Sequence, residues 1–93
     1  MTKNIEELRK EIDVIDRQIT DLLTKRIDVV KEIGRYKKEN NISIGAPVRE
    51  LNKIQELFDN IKDPNIAKYL VKISQHIFEV SKEIQQDIFD GKK

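Results

Sequence analysis

The sequence predicts an all-α fold, a chain of three helices of which the first is unusually long. Apolar residues recur three and four positions apart through most of the 93 residues, which is the spacing of one helix face. Aromatic residues make up only 5% of the chain, with 3 Gly and 2 Pro, so a β domain lacks both its alternating pattern and its turns. A composition of 38% hydrophobic and 38% charged residues is typical of a soluble amphipathic helical protein, and its length indicates a single domain over residues 1–93.

The first helix is predicted from Ile5 to about Lys38. A helix of that length is about 50 Å long, whereas a compact chain of this size has a radius of gyration of about 12 Å. Its N-terminal half must therefore project and expose an apolar stripe, so we predict an intertwined helical homodimer in which a second copy covers that stripe. Gly34 is the position where this helix could kink or end early. The stripe consists of Ile5, Leu8, Ile12, Ile15, Ile19 and Leu22.

Two further helices follow a loop that is bracketed by "NN" at 40–41 and "GAP" at 45–47. Pro47 suits the first position of a second helix, which runs to about Asn60. Asp63 as N-cap and Pro64 open a third helix, which ends at the "DGKK" tail. The apolar residues expected to face inward are Val48, Leu51, Ile54, Phe58 and Ile61 on the second helix, and Ile66, Leu70, Ile73, Ile77, Val80, Ile84 and Ile88 on the third.

The charge balance argues against several classes of partner. Lys and Arg number 18 against 17 Asp and Glu, so no overall field favours nucleic acid or an anionic membrane surface. No apolar run approaches the roughly 18 residues of a membrane span. The chain has no Cys, and its start lacks the apolar core of a signal peptide, so we expect a cytoplasmic protein.

Two cations interrupt the apolar pattern of the first helix. Arg26 lies four residues after Leu22, where the stripe should continue, and Lys37 lies eleven residues later, within about 20° of the same face. They are about 16 Å apart along the helix axis, which leaves room for a small ligand. Burying a charge costs several kcal/mol unless it is paired, and a bound anion would supply that pairing. The alternatives are side chains that reach solvent or pair with a Glu across an interface.

The third helix supplies neutral hydrogen-bonding groups. Ser81 and Gln85 are four residues apart and share a face beside the apolar positions. The sequence has no Ser/His/Asp arrangement, no glycine-rich phosphate loop and no clustered metal ligands. We expect its one histidine, His76, to be a partly exposed packing residue. Cations and neutral donors without an evident proton shuttle suit a pericyclic reaction.

Three segments, in this order and spacing, resemble the all-helical chorismate mutases, in which three-helix chains form an intertwined dimer. They are "LRKEIDVIDRQITDLLTKRIDVVKEIGRYKKEN", "APVRE" and "SKEIQQ", and the similarity covers nearly the whole chain. The resemblance implies an isomerase of the shikimate pathway, which converts chorismate to prephenate by a Claisen rearrangement in aromatic amino-acid biosynthesis. It implies no cofactor and no metal.

The resemblance also implies roles for five residues at the centre of the site. Arg9 resembles the arginine that enters the partner's pocket and holds a substrate carboxylate. Arg26 resembles the arginine that takes a carboxylate within its own chain, assisted by Ser81. Lys37 and Gln85 resemble the two donors to the ether oxygen.

The segment "APVRE" implies two more substrate-binding residues and one departure from the family. Arg49 corresponds to the arginine near the ring carboxylate, and Glu50 to the acid that accepts a hydrogen bond from the ring hydroxyl. A solvated first helical turn is the alternative for both. Ala46 stands where the family usually has Asp. The second helix therefore lacks a cap worth about 1 kcal/mol, and the substrate lacks one polar contact. We expect weaker substrate binding rather than loss of activity.

Three other functions are compatible with the same residues. An isochorismate-pyruvate lyase would use the same scaffold and cations. A weakly active regulatory module would bind chorismate or prephenate and dock on a DAHP synthase, the synthase that begins the aromatic pathway. A structural coiled coil would use Arg26 and Lys37 only to set its register.

Overall fold

The computed structural model describes residues 2–92 and consists of three α-helices in that range. They are α1, Ile5–Glu39, α2, Pro47–Asn60, and α3, Pro64–Phe89. The all-helical fold and the long first helix predicted from the sequence are confirmed. Helix α1 lies along α3, and α2 packs on α3 as well. Over the described residues, α1 and α2 have no Cα atoms within 8 Å of each other, so a space remains between them above α3.

Helix α1 runs through Gly34 without a break, so the kink or early end considered there does not occur. Gly34 is buried against α3 instead. A Cβ atom at this position would lie 3.4 Å from the Cα of Gln85 and 3.4 Å from the Cβ of Ile88. These are ordinary van der Waals distances, so α1 and α3 pack closely beside Gln85 at a position where an alanine would also fit.

The helix ends follow local sequence chemistry. The Asn4 side chain caps α1 by accepting a hydrogen bond from the Glu7 amide at 2.9 Å, and the predicted cap Asp63 accepts from the Asn65 amide at 2.9 Å. Ala46 precedes α2 and has no polar side chain with which to cap it. Pro47 supplies the preset φ angle at the first turn instead.

Many apolar residues remain exposed in the single chain. All six members of the predicted α1 stripe are exposed, Leu22 at 64%. Val30 and Ala67 are the buried hydrophobic residues among positions 2–92. The long dimension of the chain is 58 Å and its radius of gyration is 16.9 Å, against about 12 Å for a compact chain of this length. The N-terminal half of α1 therefore projects beyond the rest of the chain, as its length predicts.

The inward face predicted for α2 is wrong for the single chain at three positions. Val48 and Leu51 are 71% and 67% exposed, and Phe58 is exposed as well. The reason is that α2 touches α3 only, so a narrow face that includes Ile54, Leu57 and Ile61 is covered. On α3 the expectation fails in the same way at Ile66, Ile73 and Val80, which are exposed. None of the helices in the described part of the chain is long and apolar enough to cross a membrane.

Candidate functional site

A cleft of about 700 Å³ lies between α1 and α2, with α3 as its floor. Residues from all three helices line it, together with Gly45 and Ala46 from the loop before α2. The apolar part of its wall comes from residues such as Val30, Ile33 and Ile77. Six of the seven site residues predicted from the sequence line this cleft, namely Arg26, Lys37, Arg49, Glu50, Ser81 and Gln85.

Arg26 is anchored in the cleft by a neutral partner. Its Nη1 atom donates to Ser81 Oγ at 2.5 Å, and Ser81 Oγ donates to the backbone oxygen of Ile77 at 2.8 Å. Ser81 is 8% exposed and Arg26 is half-buried. The hydroxyl group fixes the guanidinium without neutralising it, so the remaining guanidinium donors stay available to an anion.

Lys37 lines the same cleft and is also half-buried. Among residues 2–92, no carboxylate oxygen lies within 4 Å of the charged groups of Arg26 or Lys37, since neither takes part in any of the salt bridges. Both cations thus lack an acidic partner within the described chain. A negatively charged ligand would neutralise both side chains with little rearrangement of the cleft.

Gln85 is 7% exposed and lies beside the close contact between α1 and α3. Its Nε2 atom donates to the backbone oxygen of Ser81 at 3.2 Å, one turn earlier. The amide group has two hydrogens, so one remains for another acceptor. Its Oε1 atom is buried and has no hydrogen-bond partner in the described structure. An unpartnered buried oxygen lowers the stability of the folded chain by about 1–3 kcal/mol. Such unpaired groups in a folded protein often mark a binding site.

The first turn of α2 brings Arg49 and Glu50 to the opposite wall. Arg49 is exposed, whereas Glu50 is half-buried. Glu50 Oε1 lies 3.2 Å from the Nζ atom of Lys82, and this salt bridge joins α2 to α3. Lys82 is not among the site residues predicted from the sequence. Its position directly after Ser81 and three residues before Gln85 is the sequence feature that could have pointed to it.

Arg9 lies outside the cleft of its own chain. It is exposed on the projecting half of α1, about 26 Å along the helix axis from Arg26. His76 is exposed as well, with its Nδ1 atom 3.6 Å from Glu79, and does not line the cleft. Residues 2–92 contain no cluster of three or more His, Cys, Asp or Glu side chains that could hold a metal ion.

Comparison with known proteins identifies the family. The family model described as "Chorismate mutase type II" matches residues 8–86, a range that includes all seven predicted site residues. The chain belongs to the chorismate mutase type II family. This confirms the family resemblance drawn from the sequence.

Individual relatives are similar over different shares of their length. "Chorismate mutase" of Methanocaldococcus jannaschii is 29% identical over 91 residues, which are 97% of this chain and 92% of the relative. "Bifunctional chorismate mutase/prephenate dehydratase" of Aquifex aeolicus is 42% identical over 67 residues, 72% of this chain and 17% of the relative. The "T-protein" of Haemophilus influenzae is 37% identical over 51 residues, 55% of this chain. The match covers only 14% of that relative's length.

The buried amide of Gln85 gives a testable trade between stability and activity. We expect Gln85→Met to stabilise the ligand-free chain by about 1 kcal/mol, because it removes the unpartnered Oε1 atom while keeping the side-chain volume. The same variant should lower the rate of chorismate turnover. Thermal unfolding and an activity assay measure the two effects. Gln86→Met is the matched control, because Gln86 is exposed and its side chain is hydrogen-bonded to Asp90. A Gln85→Met chain that is less stable than the Gln86→Met chain would contradict the prediction.

Proposed function

We propose that this chain rearranges chorismate to prephenate in the cleft between α1 and α2. The observation that carries the proposal is the pair of half-buried cations, Arg26 and Lys37, without a carboxylate within 4 Å among residues 2–92. A substrate with two carboxylates supplies the missing negative charge. Membership of the chorismate mutase type II family supports this choice of substrate, as does the name of the archaeal relative that aligns with nearly the whole chain.

The first contribution to the rate is control of the substrate's conformation. Arg26, steadied by Ser81, binds one carboxylate, and Arg9 of a second chain binds the other. Holding both ends folds the flexible enolpyruvyl arm over the ring and brings the reacting carbons together. A conformer of the substrate that is rare in water is the one that the site binds. The entropy needed to reach this conformer is therefore lost when the substrate binds and not during the rearrangement step.

The second contribution is electrostatic. When the carbon–oxygen bond of the ether breaks, negative charge develops on the oxygen. Lys37 and Gln85 are donors to that atom and gain strength as the charge grows. The rearrangement itself transfers no proton, so neither group has to act as an acid or a base. One preorganised donor of this kind typically contributes about 3 kcal/mol, on the order of a hundredfold in rate.

The N-terminal turn of α2 completes the site. Arg49 faces the ring carboxylate, and Glu50 accepts a hydrogen bond from the ring hydroxyl. Ala46 offers neither a helix cap nor a polar contact to the substrate. Substrate binding is therefore weaker than with Asp at this position, whereas the groups around the ether oxygen are unaffected.

The active form in this proposal is an intertwined homodimer, with residues 1–93 as one catalytic domain per chain. The apolar stripe on the N-terminal half of α1 is exposed and projects beyond the single chain. The otherwise uncovered Val48 and Leu51 on α2 add to the apolar surface that needs a cover. A second copy that covers the stripe also carries Arg9 toward the cleft of the first, which Arg9 cannot reach within its own chain.

The Lys37→Ala variant tests the proposed chemistry. We expect purified wild-type chain to consume chorismate and form prephenate, and the variant to lose about a hundredfold in kcat because one preset donor to the ether oxygen is gone. Arg35→Ala, an exposed position that does not line the cleft, is the control and should keep its activity. An unchanged kcat in Lys37→Ala would exclude Lys37 as a donor to the ether oxygen. If the wild-type chain formed salicylate from isochorismate but no prephenate from chorismate, the lyase function would be favoured instead.

A mixing experiment tests the shared site. The Arg9→Ala and Arg26→Ala chains should each be nearly inactive alone, because each site then lacks one carboxylate clamp. When the two are unfolded and refolded together in equal amounts, half of the dimers are mixed, and each mixed dimer has one site with both arginines. About a quarter of wild-type activity should return. A mixture no more active than the average of the two separate variants would contradict a site shared between chains.

A further inference from the structure

Lys82 joins the two walls of the cleft that carry the predicted substrate-binding groups. It lies on α3 directly after Ser81, lines the cleft, and places its Nζ atom 3.2 Å from Glu50 Oε1 on α2. Its side chain is 45% exposed and that of Glu50 only 24%. The other four salt bridges among residues 2–92 join groups within or next to a single helix, so this is the one salt bridge between two helices in the described chain.

The start of α2 has few other restraints. Ala46 cannot cap the helix, and α2 contains no buried residue in the described chain. Val48 and Leu51, the first apolar residues of α2, are both more than two-thirds exposed. The helix turn that carries Glu50 therefore depends on its contacts to α3, of which the ion pair to Lys82 is the charged one.

The ion pair also changes the charge that a ligand meets. A free carboxylate at Glu50 would repel a substrate that carries two carboxylates. Lys82 neutralises Glu50 through Oε1 and leaves Oε2 available as an acceptor. The pair can thus receive a hydroxyl group without presenting a net negative charge to the rest of the ligand.

We infer that Lys82 is a positioning residue that holds Glu50 at the cleft wall, so that the site selects dicarboxylate ligands with a ring hydroxyl. The inference rests on the proposed function, since it assigns to Lys82 a part in binding the same substrate. Lys82 acts through Glu50 and not on the ether oxygen. Its loss therefore weakens substrate binding and leaves the rearrangement step unchanged.

A double-mutant cycle on the purified full chain tests this role. We expect Lys82→Met to raise KM for chorismate about fivefold with kcat within twofold of wild type, because the lost contact serves substrate binding. In the Glu50→Gln background, Lys82→Met should change KM by less than twofold, because the group it positions is gone. Lys82→Arg, which keeps the charge, should stay close to wild type.

Lys72→Met is the matched control, since Lys72 lies on the opposite side of α3 from Ser81, is exposed and does not line the cleft. It should leave KM unchanged. An unchanged KM in Lys82→Met, a loss confined to kcat, or an equal KM increase with and without Glu50→Gln would overturn the inference while the proposed function stands. A wild-type chain that converts no chorismate would overturn both.

Discussion

The site depends on cations that face a cleft without acidic partners. Arg26 and Lys37 lie on the helix face that should be apolar, and they are half-buried between α1 and α2. Partly desolvated charges raise the energy of the free protein unless something compensates them. Here a serine hydroxyl holds one of them in place and no carboxylate of residues 2–92 neutralises either. This lack of a countercharge is the reason we propose the cleft as a binding site for an anion.

Helix α3 provides the rigid frame for this arrangement. Helix α1 packs close to the α3 backbone at Gln85, where Gly34 is buried, and this contact sets the distance between the cations of one helix and the neutral donors of the other. Ser81 and Gln85 are each tied to the backbone of α3 one turn away, at Ile77 and at Ser81 respectively. Groups that are set before the ligand arrives need little rearrangement on binding, and this is the condition under which they stabilise developing charge best. Helix α2 has no buried residue in the described chain. In the proposed function it carries the groups that select the ligand rather than those at the reacting bond.

Much of the fold and part of the site follow from local sequence. The helix bounds agree with the predicted ones to within about a residue at Glu39, Pro47 and Asn60, because proline placement and side-chain caps act over a single turn. The common face of Arg26 and Lys37 follows from helix geometry alone. The covered face of α2 did not follow, since Val48 and Leu51 are apolar yet exposed, and which face is covered depends on the neighbouring helices. The pairing of Lys82 with Glu50 also depends on how α2 lies on α3, which no local pattern encodes.

The most direct measurement of the central claim is a calorimetric titration of the ligand-free chain with prephenate, the dicarboxylate product of the proposed reaction. We expect saturable binding of one prephenate per chain, which weakens as the salt concentration rises because the contacts are charged. Binding should be lost when Arg26 and Lys37 are both replaced by methionine. If the chain binds no prephenate at millimolar concentration, or binds it equally well without these two cations, then Arg26 and Lys37 do not form a binding site for a dicarboxylate.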